Sequence, residues 1–218
     1  MTRNRSLVAL SRAVLSGTAL LLLCGIAPAQ DNTPPDVLVK NVTLEVVDLI
    51  AKDRDIKAGN RAKLVDLIEQ KVLPHFNSGS MTALAMGQQW NKANADQKKR
   101  LVDEFRTLLV RTYASALAAY SEQKFDFRPL RAKPTDTDVT VNVRVLQPGA
   151  QPVTIDYSME KTGSGWKVYD VMVGGVSLVA NYRTEFSTTV RQSGIEGLIQ
   201  SLQAKNHSLA GQVVSGKK

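Results

Sequence analysis

The sequence is short of the residues from which most catalytic and metal sites are built. Its 218 residues include one cysteine, Cys24, and two histidines, His75 and His207. A single cysteine excludes an internal disulfide, and two distant histidines argue against a multi-histidine metal site. The Gly-x-Ser-x-Gly elbow, the phosphate-binding loop and the dinucleotide fingerprint are also missing. We therefore expect no enzyme activity, no metal and no cofactor.

Long runs of one charge are missing too. Lysine and arginine number 28 against 20 aspartates and glutamates, a net charge of +8, yet the longest basic run is Lys98-Lys99-Arg100. Nucleic-acid-binding proteins concentrate their basic residues and often interleave them with aromatic ones, so we expect no nucleic-acid partner. Apolar residues make up 43% of the chain, which excludes a disordered polymer and suits one globular domain.

Residues 1–29 have the layout of a secretory signal peptide. Three arginines precede an apolar stretch from residue 13 to residue 26, and Ala27-Pro28-Ala29 follows it. This stretch measures about 21 Å as a helix, too short to span a bilayer. We expect cleavage before Gln30, which removes Cys24 and leaves a mature chain that is soluble outside the cytoplasm. Without the three arginines its charge falls to +5.

Residues 30–205 are predicted to form a single α+β domain. Apolar residues recur at helical spacing over 36–52, 61–73, 81–90 and 95–120, with Asn94 and Gln97 at capping-box spacing before the last helix. From Lys124 the period changes to two, which predicts four hairpin-linked strands with one apolar face. Helical spacing resumes at Val176, and residues 206–218 are predicted to be a flexible polar tail. We expect a four-stranded antiparallel curved sheet packed against N- and C-terminal helices.

Four aspartates in or near the predicted sheet could supply acid–base chemistry: Asp136, Asp138, Asp156 and Asp170. Three of the four alternate with apolar residues, and alternation along a strand places such residues on its wet face. We interpret them as surface residues that favour solubility.

Four sequence segments, taken in chain order, carry a resemblance to a known family. They are Val72–Phe76 followed by Met81–Gly87 and Trp90, then Phe105–Tyr113, then Val168–Val171 leading to Gly175–Val179, and finally Asn181–Phe186 with Gly194–Ile199. In this order they resemble the MlaC family of periplasmic phospholipid-binding proteins, also called toluene-tolerance proteins. The departures are small: Asn77 stands where aspartate is usual, and Asn94-Ala95-Asp96 replaces the more common Thr-Pro-Glu helix start.

The resemblance implies an α+β carrier whose helices and sheet enclose an apolar lipid cavity, with the headgroup of a glycerophospholipid toward solvent. It also implies shuttling across the periplasm between an outer-membrane lipoprotein complex and an inner-membrane ABC transporter with an MCE-domain subunit, which maintains outer-membrane lipid asymmetry. We expect a monomer. Two alternatives stay open: a carrier of another lipid such as a hopanoid, and a secreted enzyme with a cone-shaped cavity.

Periodicity, together with the family segments, predicts which side chains face the lipid. The predicted lining residues are Leu84, Trp90, Phe105, Leu109, Tyr113, Val141, Val143, Ile155, Tyr157, Val171, Val176, Val179, Tyr182 and Phe186. Arg183 is the candidate partner of the headgroup phosphate, and the alternative for it is an exposed helix arginine.

Overall fold

The computed structural model describes residues 32–119 and 123–215; the predicted signal peptide, residues 1–29, lies outside the described residues. The helices are α1 (Pro35–Lys52), α2 (Arg54–Lys57), α3 (Arg61–Lys71), α4 (Ser78–Met86), α5 (Ala95–Ala119) and α6 (Arg183–Ser215). Short 3₁₀ segments lie at Leu73–His75, Gly87–Lys92 and Ala180–Tyr182. The strands are β1 (Lys124–Phe127), β2 (Asp138–Leu146), β3 (Val153–Thr162), β4 (Gly165–Val173) and β5 (Val176–Ser177).

The strands form one antiparallel sheet in the order β1-β2-β3-β4-β5. Each strand follows its neighbour in sequence, so hairpins make all the connections, as the sequence predicts. The α+β class is confirmed, but the strand number is wrong by one. Gly174 and Gly175 both have positive φ, 58° and 83°, and this tight turn adds the two-residue β5 where the sequence predicts the start of a helix.

Side-chain caps fix where the helices begin. The Asp53 carboxylate accepts from the backbone N–H groups of Asp55 and Ile56, and the Asn60 side chain caps α3. The predicted capping box before α5 is confirmed. The backbone N–H of Gln97 donates to Asn94 Oδ1 at 2.8 Å, and the backbone N–H of Asn94 donates to Gln97 Oε1 at 3.1 Å.

The last helix extends beyond the predicted domain boundary at residue 205. Residues 206–215 are helical, and Asn206 is only 4% exposed because its side-chain amide donates to the carbonyl oxygen and a carboxylate oxygen of Glu104 on α5. The prediction of a flexible tail is therefore wrong for residues 206–215. Gly194, with φ 71° and ψ −177°, divides α6 into two helical stretches.

The buried apolar residues form three clusters. One joins α4, α5 and α6 around Phe105 and Phe186. A second joins α1 to the sheet around Val141 and Met159, and a third joins α1, α3 and α5 around Ile50. Helix α1 therefore takes part in two clusters, one on the sheet and one among the helices, and the candidate site lies between them.

Candidate functional site

A cavity of about 430 Å³ lies between one face of the sheet and helices α1, α3, α4 and α5. That volume falls within the range of about 300–1,000 Å³ typical of small-molecule sites. Most of its walls are apolar, namely Leu38, Val39, Val42, Val46 and Val47 of α1, Ile68 of α3 with Val72, Leu73 and Phe76 after it, Met81 of α4, Phe105, Leu109, Val110 and Leu117 of α5, and Phe125, Ile155, Met159, Val168, Val171 and Val173 of the sheet. An apolar molecule placed here would be removed from water.

Strand register explains why these sheet residues share one face. Directly opposite residues of antiparallel strands point to the same side. Val141 faces Tyr157, and Tyr157 faces Val171, across β2, β3 and β4. In the next row of the same face, Ile155 faces Val173. The lining comes mainly from β3 and β4, since the β2 valines of this face pack in the core beside the cavity.

A β-bulge changes which side chains of β4 point toward the cavity. The register shifts between Ser158 and Met159, so that Met159 pairs with Val168 while Tyr157 pairs with Val171. An extra residue on one strand reverses the alternation beyond it. Val168 and Val171 consequently both line the cavity although three positions separate them.

Two tyrosines bring hydroxyl groups to the cavity, and both are hydrogen-bonded. The Tyr157 hydroxyl bonds with the side chain of Thr43, which links β3 to α1, and burial raises the pKa of Tyr157 to about 12. Burial, aided by the neighbouring hydroxyl of Tyr182, likewise raises the pKa of Tyr113 to about 12. Both groups therefore stay neutral near pH 7, which makes them hydrogen-bonding groups and poor proton acceptors.

Charge is scarce in this lining. Among the described residues that line the cavity there is no carboxylate, and Arg106 is the one with a permanent charge. The other polar contributions come from Thr43, His75, Ser78 and Thr82. The described walls therefore offer no carboxylate pair for acid–base chemistry.

Asp170 is buried, unlike the surface aspartates of the sequence prediction. It is 6% exposed, and Oδ1 accepts from the hydroxyl of Ser177 at 2.8 Å and from the backbone N–H of Val171 at 2.8 Å. The Ser177 oxygen in turn accepts from the backbone N–H groups of Val179 and Ala180. These bonds fix the turn from β5 into the following 3₁₀ segment, so Asp170 has a structural role.

The structure brings half of the predicted lining residues to the cavity. These are Phe105, Leu109, Tyr113, Ile155, Tyr157, Val171 and Val179. Val141 and Val143 lie on the same sheet face but are buried against α1. Val176, in contrast, is 56% exposed on β5 and lies outside the cavity lining.

Four further predicted residues belong to the cluster between α4, α5 and α6. Leu84, Trp90, Tyr182 and Phe186 pack there and do not line the cavity. The ring centroids of Tyr182 and Phe186 lie 5.2 and 5.1 Å from that of Phe105 in edge-to-face geometry. These aromatic side chains support the cavity wall from behind, through Phe105.

Arg183 does not reach the cavity either. Its guanidinium donates to the carbonyl oxygen of Leu84 from Nη2 at 2.8 Å and from Nε at 3.2 Å. Leu84 lies near the C-terminal end of α4, where carbonyl groups lack helical partners. The arginine therefore caps α4, a role that helical periodicity cannot show.

The largest group of lining residues that the sequence prediction omits comes from α1. Leu38, Val42 and Val46 recur at four-residue spacing and line the cavity with their neighbours Val39, Thr43 and Val47. The same spacing identifies α1 as an amphipathic helix but does not tell a core contact from a cavity wall.

Within residues 32–119 and 123–215, no group of histidine, cysteine, aspartate or glutamate side chains is arranged to hold a metal ion. A search of the same described residues finds no helix with the length and apolarity needed to cross a membrane.

Fold and cavity together define the class: an α+β protein in which a meander sheet and the helices packed on it line an apolar cavity, with no carboxylate among the lining residues that the structure describes. The model of the family described as "MlaC protein" matches residues 40–204. The chain belongs to the MlaC family.

Relatives of known name agree with this assignment. The chain is 25% identical over 176 residues to the intermembrane phospholipid transport system binding protein MlaC of Haemophilus influenzae, covering 79% of this chain and 82% of that protein. It is 24% identical over 188 residues to the toluene tolerance protein Ttg2D of Pseudomonas putida, covering 86% and 84%. A solved structure of a phospholipid-binding protein from Ralstonia solanacearum, in complex with a phospholipid, is 38% identical, with a TM-score of 0.74, and the match covers 80% of this chain and 98% of that one.

Proposed function

We propose that this protein is a periplasmic carrier that holds a glycerophospholipid by its acyl tails. The observation that supports this most directly is the apolar cavity between α1, α5 and the sheet. The Ralstonia relative, 38% identical, was solved in complex with a phospholipid. The shared fold, together with the apolar cavity of this protein, favours the same class of ligand here.

The energetics of lipid transfer explain why such a cavity is required. Each methylene exposed to water costs about 0.8 kcal/mol, so two acyl tails of about 15 methylenes each would cost about 24 kcal/mol. A phospholipid therefore crosses an aqueous compartment only inside an apolar sheath. Moving the tails from a bilayer into the cavity exchanges one apolar environment for another, which needs no chemical step.

The absence of catalysis is part of the proposal. No carboxylate occurs among the described residues of the lining, and the two cavity tyrosines are held neutral by burial. The two tyrosine hydroxyls can hold and orient a ligand but are poor general bases near neutral pH.

The predicted signal peptide and the family support a place in the periplasm. We propose that the protein acts as a monomer that collects lipid from an outer-membrane lipoprotein complex and delivers it to an inner-membrane ABC transporter with an MCE-domain subunit, so that the outer membrane keeps its lipid asymmetry. The name of the Haemophilus relative describes a binding protein of an intermembrane phospholipid transport system, which supports this proposal.

The proposal is tested by extracting the lipid that the exported protein carries and identifying it by mass spectrometry. We expect glycerophospholipid in stoichiometric amount, and uptake of phospholipid from vesicles by the delipidated protein. A hopanoid in the extract would instead support the alternative cargo. Protein that carries no lipid and takes none up from vesicles would contradict the carrier function.

A matched pair of variants tests the cavity itself. Val171→Trp places an indole in the cavity, while Val176→Trp makes the same change at a residue that is 56% exposed on the neighbouring strand. We expect Val171→Trp to carry much less phospholipid and Val176→Trp to load as the parent protein does. Equal loading of the two variants, with both folded by circular dichroism, would show that the lipid binds elsewhere.

A further inference from the structure

The cavity-facing stripe of α5 begins with a charged residue. Arg106, Leu109, Tyr113 and Leu117 recur at three- and four-residue spacing, so they share one face of the helix, and all four line the cavity. Arg106 and Leu117 are about 16 Å apart along the helix axis. Among the described residues of α5, none before Phe105 lines the cavity, so Arg106 stands at one end of it.

The exposure of Arg106 differs from that of its neighbours. Phe105 is fully buried and Val110 is 7% exposed, whereas Arg106 is exposed although it also contributes to the lining. Long basic side chains commonly lay their methylenes on apolar surface while the charged end stays in water. The guanidinium of Arg106 therefore marks an end of the cavity that is open to solvent.

Arg106 differs from Arg100 and Arg128 in having no side-chain partner within the part of the chain that the structure describes. Arg100 pairs with Asp96 and Glu196, and Arg128 pairs with Asp126. An unpaired guanidinium at the rim of an apolar cavity is available to an anionic ligand group.

We propose that Arg106 binds the phosphodiester of the bound lipid and so fixes which way the lipid lies in the cavity. This inference rests on the proposed carrier function. A guanidinium presents a fork of N–H donors that matches two phosphate oxygens at once. With the phosphate held at Arg106, the tails extend from this end along the face formed by Leu109, Tyr113 and Leu117. Free phosphate has no tails to bury, so it lacks the apolar contribution to binding.

The test compares two lipids that differ only in the phosphate-bearing headgroup. Delipidated protein is incubated with phosphatidylglycerol vesicles that contain diacylglycerol with the same acyl chains, and the ratio of the two lipids bound to the protein is measured by mass spectrometry. The variants are Arg106→Gln, the conservative Arg106→Lys, and Lys99→Gln, which removes an exposed cation of the same helix outside the cavity lining. A ratio is insensitive to the weaker vesicle docking or lower stability that a lost charge causes.

We expect Arg106→Gln to lower the bound ratio of phosphatidylglycerol to diacylglycerol by about five-fold, the size of one partly exposed charge-assisted contact. Arg106→Lys should give an intermediate ratio because it keeps the charge and loses the fork, and Lys99→Gln should match the parent. Soluble glycerol 3-phosphate in the buffer should leave the parent ratio unchanged.

Three results would overturn the inference. If the parent protein loads phosphatidylglycerol and the ratio is the same in Arg106→Gln, Arg106 does not read the phosphate. If glycerol 3-phosphate lowers the parent ratio, Arg106 belongs to a site for free phosphate esters. If the parent loads neither lipid, the carrier function itself fails, and this inference with it.

Discussion

The hydrogen bond between Thr43 and Tyr157 predicts that removing its two partners has unequal effects. The bond links α1 to the central strand β3 beside the cavity. Tyr157→Phe leaves the Thr43 hydroxyl without this partner, but a helical threonine can bond to the carbonyl oxygen four residues earlier, here that of Val39. Thr43→Val leaves the enclosed tyrosine hydroxyl with no such substitute.

The size of each loss of stability depends on whether the remaining hydroxyl finds another hydrogen-bond partner. A hydrogen bond whose partner finds another bond contributes about 0.5–1.5 kcal/mol, whereas an unsatisfied buried group costs about 1–3 kcal/mol. For a domain of this size, 1 kcal/mol shifts the Tm by about 2–4 °C. We therefore expect Thr43→Val to lower the Tm of the lipid-loaded protein by about 2–12 °C and Tyr157→Phe to lower it less. The double variant should resemble Tyr157→Phe, since no hydroxyl is then stranded.

Calorimetry of loaded and delipidated protein provides the assay. In delipidated protein water can enter the cavity and bond to the tyrosine hydroxyl, so the penalty of Thr43→Val should shrink. Thr43→Ser keeps the hydroxyl and serves as the control. Two results would refute the unequal roles of the partners. One is a loss of Tm in loaded Thr43→Val that is no larger than the loss in loaded Tyr157→Phe. The other is a loss of Tm in the double variant that equals the sum of the losses in the two single variants.

Three other predictions concern stability. Gly197→Ala places a Cβ 2.3 Å from Cβ of Ser193, so the helix must shift, and the free energy of unfolding measured in urea should fall by about 1–3 kcal/mol. Asp170→Ala removes a buried acceptor of two hydrogen bonds and should cost about 2–3 kcal/mol in the same assay. The hydrogen bond from Arg100 holds the pKa of Glu196 below its usual value of 4.5, so this pair stabilises the fold above that pH and its contribution is lost as the pH falls below it. The difference in stability between the parent and Glu196→Gln should therefore be constant from pH 6 to 8 and shrink below pH 4.5, and a difference that does not change with pH would contradict the pairing.

The periodicity of apolar residues predicts well which face of a strand or helix a residue occupies, but it predicts poorly what that residue contacts. Val141, Ile155 and Tyr157 do lie on one face of the sheet, since a strand period of two leaves little choice. Whether a residue on that face meets α1 or empty space depends on where the helix crosses the sheet, which no local pattern contains. Val141 meets α1 and Tyr157 lines the cavity, although the two residues are directly opposite each other.

Other misses have local causes that a single sequence hides. The bulge at Ser158 and Met159 puts Val168 and Val171 on one face, which strict alternation does not predict. Asp170 pairs with Ser158 and lies on the face opposite Val171, but it is buried there because the chain returns as β5 and brings Ser177 against it. The pair Gly174 and Gly175 ends β4 as predicted, but the chain returns as β5 and exposes Val176. Glycines mark a turn, but they do not determine whether a strand or a helix comes after it.

The proposed carrier divides its work between the apolar walls and a few polar groups. The tails are removed from water both in a membrane and in the cavity, so the large apolar terms nearly cancel in transfer between them. The balance between loaded and empty protein then depends on contributions of about 1 kcal/mol, the size of one partly exposed guanidinium contact or one hydrogen bond. Arg106 at the rim and the Thr43–Tyr157 bond beside the cavity are contributions of this size. Such a carrier can accept and release the same lipid without a chemical step. Small changes in the contacts of these polar groups are larger than the difference in free energy that remains between burying the tails in the membrane and in the cavity.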